Sequence, residues 1–198
     1  MSSEKIETRT RILDATVQML EEHGGRGVRM GDIAKKSGIS RQAVYLHFAS
    51  RAQLLVAATR HVDEKLNIDQ RLAPSRAATS GSERLALYIE FWGYYIPEIY
   101  AVAKALLLAR DTDEAAAAAW KDRMTAMRDG CRAAIEALHT DGKLADDWQP
   151  QQATDALWTL LLVPTWEALR VECGWSTQQY VNWLKSLAHK TFVREDQA

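Results

Sequence analysis

The chain has 198 residues, enough for one large domain or two small ones with a substantial buried core. Apolar residues make up 47% and charged residues 26%, with only four prolines and ten glycines, which excludes collagen-like, linker-rich and disordered classes. The net charge of −1 hides an asymmetry: residues 1–60 hold ten Lys/Arg against six Asp/Glu, and the remainder fifteen against twenty. A basic head on an acidic body suggests that the head meets a polyanion and the body does not. All seven tryptophans lie beyond residue 90, which also favours two parts with different tasks. No apolar run reaches the ~18 residues of a membrane span. The opening "MSSEKIETRTR" lacks the apolar stretch of a secretory signal. Cys131 and Cys173 fit neither a disulfide framework nor a CxxC pattern. The expectation is a reduced, cytoplasmic, all-α protein without cofactor or metal.

In chain order, strand signals are nearly absent and helix signals recur. In "TRTRILDATVQMLEEHGG", Leu13, Thr16, Val17 and Leu20 share one face, flanked by Ile12 and Met19, and Gly24 and Gly25 supply a stop. A short second helix, "MGDIAKKSG", turns Ile33 and Ala34 inward and ends at Gly38. "SGISRQAVYLHF" follows, with Ser40 as N-cap of a third helix. "SRAQLLVAATRHVDEKLN" reads as a long amphipathic helix capped by Ser50, and "RLAPSRAATSGS" as the break after it. The organisation predicted is a helix-turn-helix domain over 1–50, a connecting helix over 51–72 and a larger helical domain over 73–198. Within the last, helices are expected near 82–109, 113–139, 150–173 and 176–193, with Pro97 offering a break in the first and "TDGKLADDWQP" a loop. Pro164 should kink the third of these and leave the Leu160 carbonyl without its usual donor.

The third helix has the most specific reading. At about 3.6 residues per turn, Val44 and Phe48 fall together and must face the core. Gln42 and Leu46 then point away from it, with Arg41 and Tyr45 on one flank and Ala43 and His47 on the other. Two short helices joined by a glycine-containing turn, the second presenting such a face, make a helix-turn-helix. Its second helix can enter a major groove while arginines hold phosphates. On geometry alone an ordinary helical hairpin with solvated charges remains the alternative.

The run from "TRTRILDATVQMLEEHG" through "MGDIAKKSGISRQAVYLHFASRAQLL" closely resembles the N-terminal domain of TetR-family transcriptional repressors. R-I-L-D-A, D-I-A, S-G-I-S and the Y-x-H-F ending occur in order, followed by a basic residue, Arg51. The resemblance covers roughly residues 5–60 and implies double-stranded DNA as partner. It makes Arg41, Gln42, Ala43 and Tyr45 groove-facing, and His47 and Arg51 phosphate contacts. Gln42 is suited to pairing bidentately with adenine, and Ala43 or Leu46 to touching a thymine methyl. One departure is Arg29, where the family usually starts its second helix on Ser or Thr; it forfeits a hydroxyl cap and offers a phosphate contact. Gln42 and Ala43 replace the small or hydroxyl residues common there, which leaves the operator sequence open.

For the body the resemblance implies a homodimer reading a palindromic operator and released by a small-molecule effector. Tyr88, Trp92, Tyr95 and Ile99 stand at helical spacing in "LALYIEFWGYYIPEIY", the candidate pocket wall, with Met124, Met127, Cys131, Trp158 and Leu161 as further lining. A pocket of aromatics and methionines would favour a lipophilic or aromatic effector. In this family the last two helices pair with their copies. Leu162, Trp166 and Leu169, with Tyr180, Trp183, Leu184 and Leu187, are the candidates for that interface. Helices this apolar on several faces do not reveal which side meets the chain's own core. An activator or an effector-independent DNA-binding protein is the alternative. An enzyme is disfavoured, since no HExxH motif, phosphate loop, nucleophile elbow or Cys/His pair appears.

Overall fold

The computed structural model describes residues 3–194. They form ten α-helices and one π-helical turn: α1 Ser3–Glu22, α2 Met30–Ser37, α3 Arg41–His47, α4 Arg51–Lys65, α5 Ile68–Arg76, α6 Gly81–Ala109, α7 Glu114–Thr140, α8 Pro150–Leu160, α9 Val163–Glu167, the π turn Ala168–Glu172 and α10 Thr177–Phe192. Among the described residues the only extended pairing is an isolated bridge between Leu144 and Val193. The all-α expectation therefore stands, and no helix of the described residues is long and apolar enough to cross a membrane.

The chain divides into two compact units. The first runs to Asn67 and takes up the chain again over Ile99–Asp122; the second comprises Ile68–Glu98 and everything from Arg123 onward. Helices α6 and α7 each contribute a stretch to both. In the first unit, Ile12, Leu13 and Leu20 of α1 are buried, as are Ile33 of α2, Val44 and Phe48 around α3, and Leu54, Leu55 and Ala58 of α4. The turn after α1 carries Gly25 at φ +78, where a Cβ would sit 2.5 Å from the Ala101 carbonyl oxygen. Only a residue without a side chain fits there.

In the second unit Leu85, Ile89, Tyr95 and Ile96 of α6 are buried, as are Ala134, Ile135 and Leu138 of α7, Leu157 of α8, and Tyr180, Leu184 and Phe192 of α10. Gly93 lets α10 approach closely, since a Cβ there would overlap the Val181 side chain. A capping box starts α10: Ser176 accepts from the Gln179 amide, and the Gln179 side chain accepts from the Ser176 amide.

Several elements differ from the sequence reading for identifiable reasons. The connecting helix expected over 51–72 is two helices, because Asn67 takes a left-handed φ of 49, a conformation Asn tolerates better than most residues. The expected break over 71–82 is largely helical: α5 passes through Pro74, and its buried Ser75 donates to the Arg84 carbonyl at 3.1 Å. Pro97 does not interrupt α6, which runs unbroken for 29 residues. Pro164 does more than kink its helix. The chain breaks at Leu161–Leu162 and restarts with Pro164 in its first turn, where no amide is required of it. The Thr165 hydroxyl reaches back to the Thr159 carbonyl at 3.1 Å.

Candidate nucleic-acid interface

The turn between α2 and α3 is built by Gly38, left-handed at φ 69, whose amide closes on Lys35 while that of Ile39 reaches Ala34 at 3.1 Å. Ser40 then caps α3, its hydroxyl accepting from the Ala43 amide at 3.1 Å. Helix α3 ends at His47, and Phe48 follows in an extended conformation with its amide still bonded to Val44. The core assignment made from the helical wheel survives that early ending, because Val44 and Phe48 are both buried. The opposite side is open: Leu46 is 79% exposed and Tyr45 40%, with Arg41 and Gln42 also exposed. Ala43 and His47 are half-buried on the flank.

Cations frame this face. Arg51 begins α4 immediately after the Ser50 cap, and its Nε donates to the Val28 carbonyl at 3.0 Å, which fixes the direction of the guanidinium. Arg29 is the N-cap of α2 without a side-chain cap bond, as its replacement of a hydroxyl residue implied, and its side chain is exposed. Arg41 lies over the Tyr45 ring at 5.6 Å. Arg29, Arg41, Tyr45 and Arg51 line one shallow groove of about 680 Å³ beside the start of α2. Three guanidinium groups from the starts of α2, α3 and α4, with Asp32 as the one carboxylate of the lining, suit phosphate oxygens better than a neutral ligand.

Two cations escaped the sequence reading. Arg9 of α1 lies over the Phe48 ring, 4.4 Å from its centroid, and Lys5 stands one helical turn before it. Partial burial, then the charges of Lys5 and Arg9, push the His47 pKa below the usual imidazole value. The signal was present in the i, i+4 spacing of Lys5 and Arg9, but nothing in the sequence linked that face to α3.

The candidate ligand residues meet a different fate. In the second unit Tyr88 is buried and donates to the Met127 carbonyl at 2.7 Å, in a space that Gly130 leaves free: a Cβ there would overlap the Tyr88 hydroxyl. Burial pushes the Cys131 thiol up to about 12, and the Tyr88 phenol upward as well. Trp92 meets Tyr88, Phe91 and Tyr95 edge-on, and Phe91 stacks on Tyr95 at 5.0 Å. Tyr88, Tyr95, Met127 and Cys131 are thus packed into the unit's interior, Leu161 is buried, and Trp92, Met124 and Trp158 are half-buried. Ile99, expected on the same wall, belongs to the first unit. The Trp92 Nε1 lies near the Tyr88 oxygen without hydrogen-bond geometry, and neither it nor the buried Nε1 of Trp158 has a partner among the described residues.

The expected dimer face divides. Trp166, Tyr180 and Leu184 are buried within their own chain and cannot serve as an exposed surface, a correction that follows from helices apolar around most of their circumference. Leu162, Leu169, Trp183 and Leu187 remain half-exposed, and Val171 of the π turn is 57% exposed. Among the described residues no group of three or more His, Cys, Asp or Glu is arranged to hold a metal ion.

Residues 12–58 match the bacterial regulatory proteins of the tetR family. Among curated proteins, the nucleoid occlusion factor SlmA of Marinomonas sp. (strain MWYL1) is 38% identical over 66 residues, 33% of this chain and 34% of that protein. The HTH-type transcriptional regulator BetI of Rhizobium meliloti is 32% identical over 81 residues, 41% of this chain and 39% of that one. The chain thus spans a little over a third of the length of these relatives. Among solved structures, a putative transcriptional regulator from Saccharomonospora viridis in complex with choline superposes with a TM-score of 0.81 at 20% identity, covering 96% of this chain and 99% of that one. The transcriptional regulator FadR from Bacillus subtilis in complex with stearoyl-CoA gives 0.72 at 16% identity, covering 90% and 96%. At such identities the likeness is one of fold, and it extends over nine-tenths or more of the chain, whereas the sequence relatives match 33–41% of it.

Proposed function

We propose that this chain, whose residues 12–58 match the tetR family of bacterial regulatory proteins, acts as a dimeric repressor released from a palindromic operator by a small effector. The observation that carries the reading is the uncovered side of α3: Leu46, Gln42 and Arg41 stand in solvent while Val44 and Phe48 anchor the helix from behind. A single head of this size reads few bases. Two heads about 34–36 Å apart would read successive major grooves. The half-exposed Leu162, Leu169, Trp183 and Leu187, continued by Val171, are the proposed seam between copies. Arg29, Arg51 and His47 hold phosphates, while Arg41, Gln42, Ala43, Tyr45 and Leu46 face the bases.

The proposed effector site lies in the second unit, where Tyr88, Trp92, Met127 and Cys131 supply an apolar, aromatic environment. The unpartnered indole N–H groups of Trp92 and Trp158 favour an effector that carries an acceptor oxygen on a lipophilic frame. The solved relatives bind choline in one case and stearoyl-CoA in another, so the fold accommodates ligands of very different size. Release requires that the effector bind the state that fits DNA poorly better than the state that fits it well. The chain from Ser50 through α4 follows the head directly and is the proposed coupling element.

Duplex titrations test the division of labour. Arg51→Ala should weaken binding to every duplex alike and lower the salt slope by about 1. Gln42→Ala should change which sequences are preferred and leave the slope alone. Equal effects of both variants on specific and random DNA would overturn it, and an unchanged half-site distance with and without effector would remove the release mechanism.

A further inference from the structure

Three of the ten Lys/Arg of the head line the groove on one flank of α3. On the other flank a second group of cations converges, and it comes from a different helix. Arg9 of α1 covers the Phe48 ring at 4.4 Å, and Phe48 in turn lies 6.4 Å, centroid to centroid, from the His47 ring. Lys5 precedes Arg9 by one turn on the same helix and is exposed. The Arg9 Nη1 is buried and finds no hydrogen-bond partner among the described residues. A guanidinium against an aromatic face, beside a lysine and a half-buried histidine, concentrates positive charge where an anion would be attracted. The charged groups acting on His47 are these two cations of α1.

We propose that Lys5, Arg9 and His47 form a second DNA-phosphate site across α1 and α3, and that His47 takes up a proton when the phosphate arrives. The proposal rests on the DNA-binding reading and adds to it a contact surface on α1 and a coupling to pH. The chemistry follows from the charges. Without a ligand, partial burial and then the charges of Lys5 and Arg9 hold the His47 pKa below the usual imidazole value, which favours the neutral ring. A phosphodiester between them cancels that repulsion and offers a charge-assisted hydrogen bond, which favours the imidazolium. The proton comes from hydronium in solvent: an O–H bond breaks, an N–H bond forms on the imidazole, and water is left behind. Because the complex then holds more protons than the free protein, affinity rises as pH falls through the window between the pKa of His47 in the complex and its lower value in the free head. Above that window the extra attraction is lost.

The test uses the full chain and a short mixed-sequence duplex, with affinity measured against salt and against pH. Wild-type affinity should increase severalfold, and at most about tenfold per pH unit for one proton, between about pH 8 and about pH 6. His47→Gln should flatten that dependence while keeping a hydrogen-bonding side chain. Lys5→Gln, on an exposed position remote from the core, should weaken binding to all duplexes, lower the salt slope by about 1 and reduce the pH dependence, with an unchanged unfolding midpoint. Wild-type salt slope and affinity in Lys5→Gln would overturn the proposal, and so would a pH dependence that survives in His47→Gln. If Arg51→Ala weakens duplex binding and Lys5→Gln does not, this site falls alone. If the wild type binds no duplex at low salt, the DNA-binding reading falls with it.

Discussion

Helix α3 and the first half of α6 are both crowded with side chains suited to recognition, yet the fold disposes of them in opposite ways. On α3 two buried residues, Val44 and Phe48, suffice to hold the helix, and Tyr45 and Leu46 are left in solvent. On α6 Tyr88, Phe91, Trp92 and Tyr95 turn to one another and to α7, and Tyr88 satisfies its hydroxyl on the Met127 carbonyl. A short helix on a platform has one side to bury and one to spare. The first half of α6 is packed on several sides, and its aromatic stripe is first of all core. Side chains of the kinds suited to recognition are therefore displayed on the head and embedded in the body.

Substitutions can break that contrast. Phe48→Ala should be the most damaging, costing about 3–5 kcal/mol of stability because it opens a cavity beneath α3 and removes the ring under Arg9. Chemical denaturation would measure it, and a loss below about 1 kcal/mol would mean that the platform is not what anchors the recognition helix. Gly130→Ala should follow at about 1–3 kcal/mol, since its methyl group must displace the Tyr88 hydroxyl from the Met127 carbonyl. Ser176→Ala should cost about 1 kcal/mol by removing half of the box that starts α10, read from the shift in thermal midpoint. Leu46→Ala should leave stability within about 0.5 kcal/mol of wild type and yet impair duplex binding. That last pairing sharpens the comparison: the head should contain a large apolar residue whose loss matters only when DNA is present.

The head was legible in the sequence almost residue by residue. Ser40 and Ser50 cap where expected, Gly38 turns the chain, and a wheel of eight positions separates Val44 and Phe48 from Gln42 and Leu46. Short elements punctuated by glycine and serine leave little freedom. The body was legible as helices but not as faces. Trp166, Tyr180 and Leu184 look like interface residues in sequence and are core residues in space, because nothing along an apolar helix tells one neighbour from another. The break at Leu161–Leu162 and the π turn after α9 were also hidden: proline announces that a hydrogen bond will be lost, not how the chain will rearrange around it. Lys5 and Arg9 were missed because their relation to α3 is purely tertiary.

The brevity of α3 has a dynamic consequence. Seven residues are too few to nucleate and hold a helix in water, so its order is lent by the packing of Val44 and Phe48. The amides of Val44 and Phe48 should therefore exchange with solvent no faster than the unit's core opens as a whole. On the proposed function, an element that cannot melt separately would be switched only by being carried bodily from one position to another.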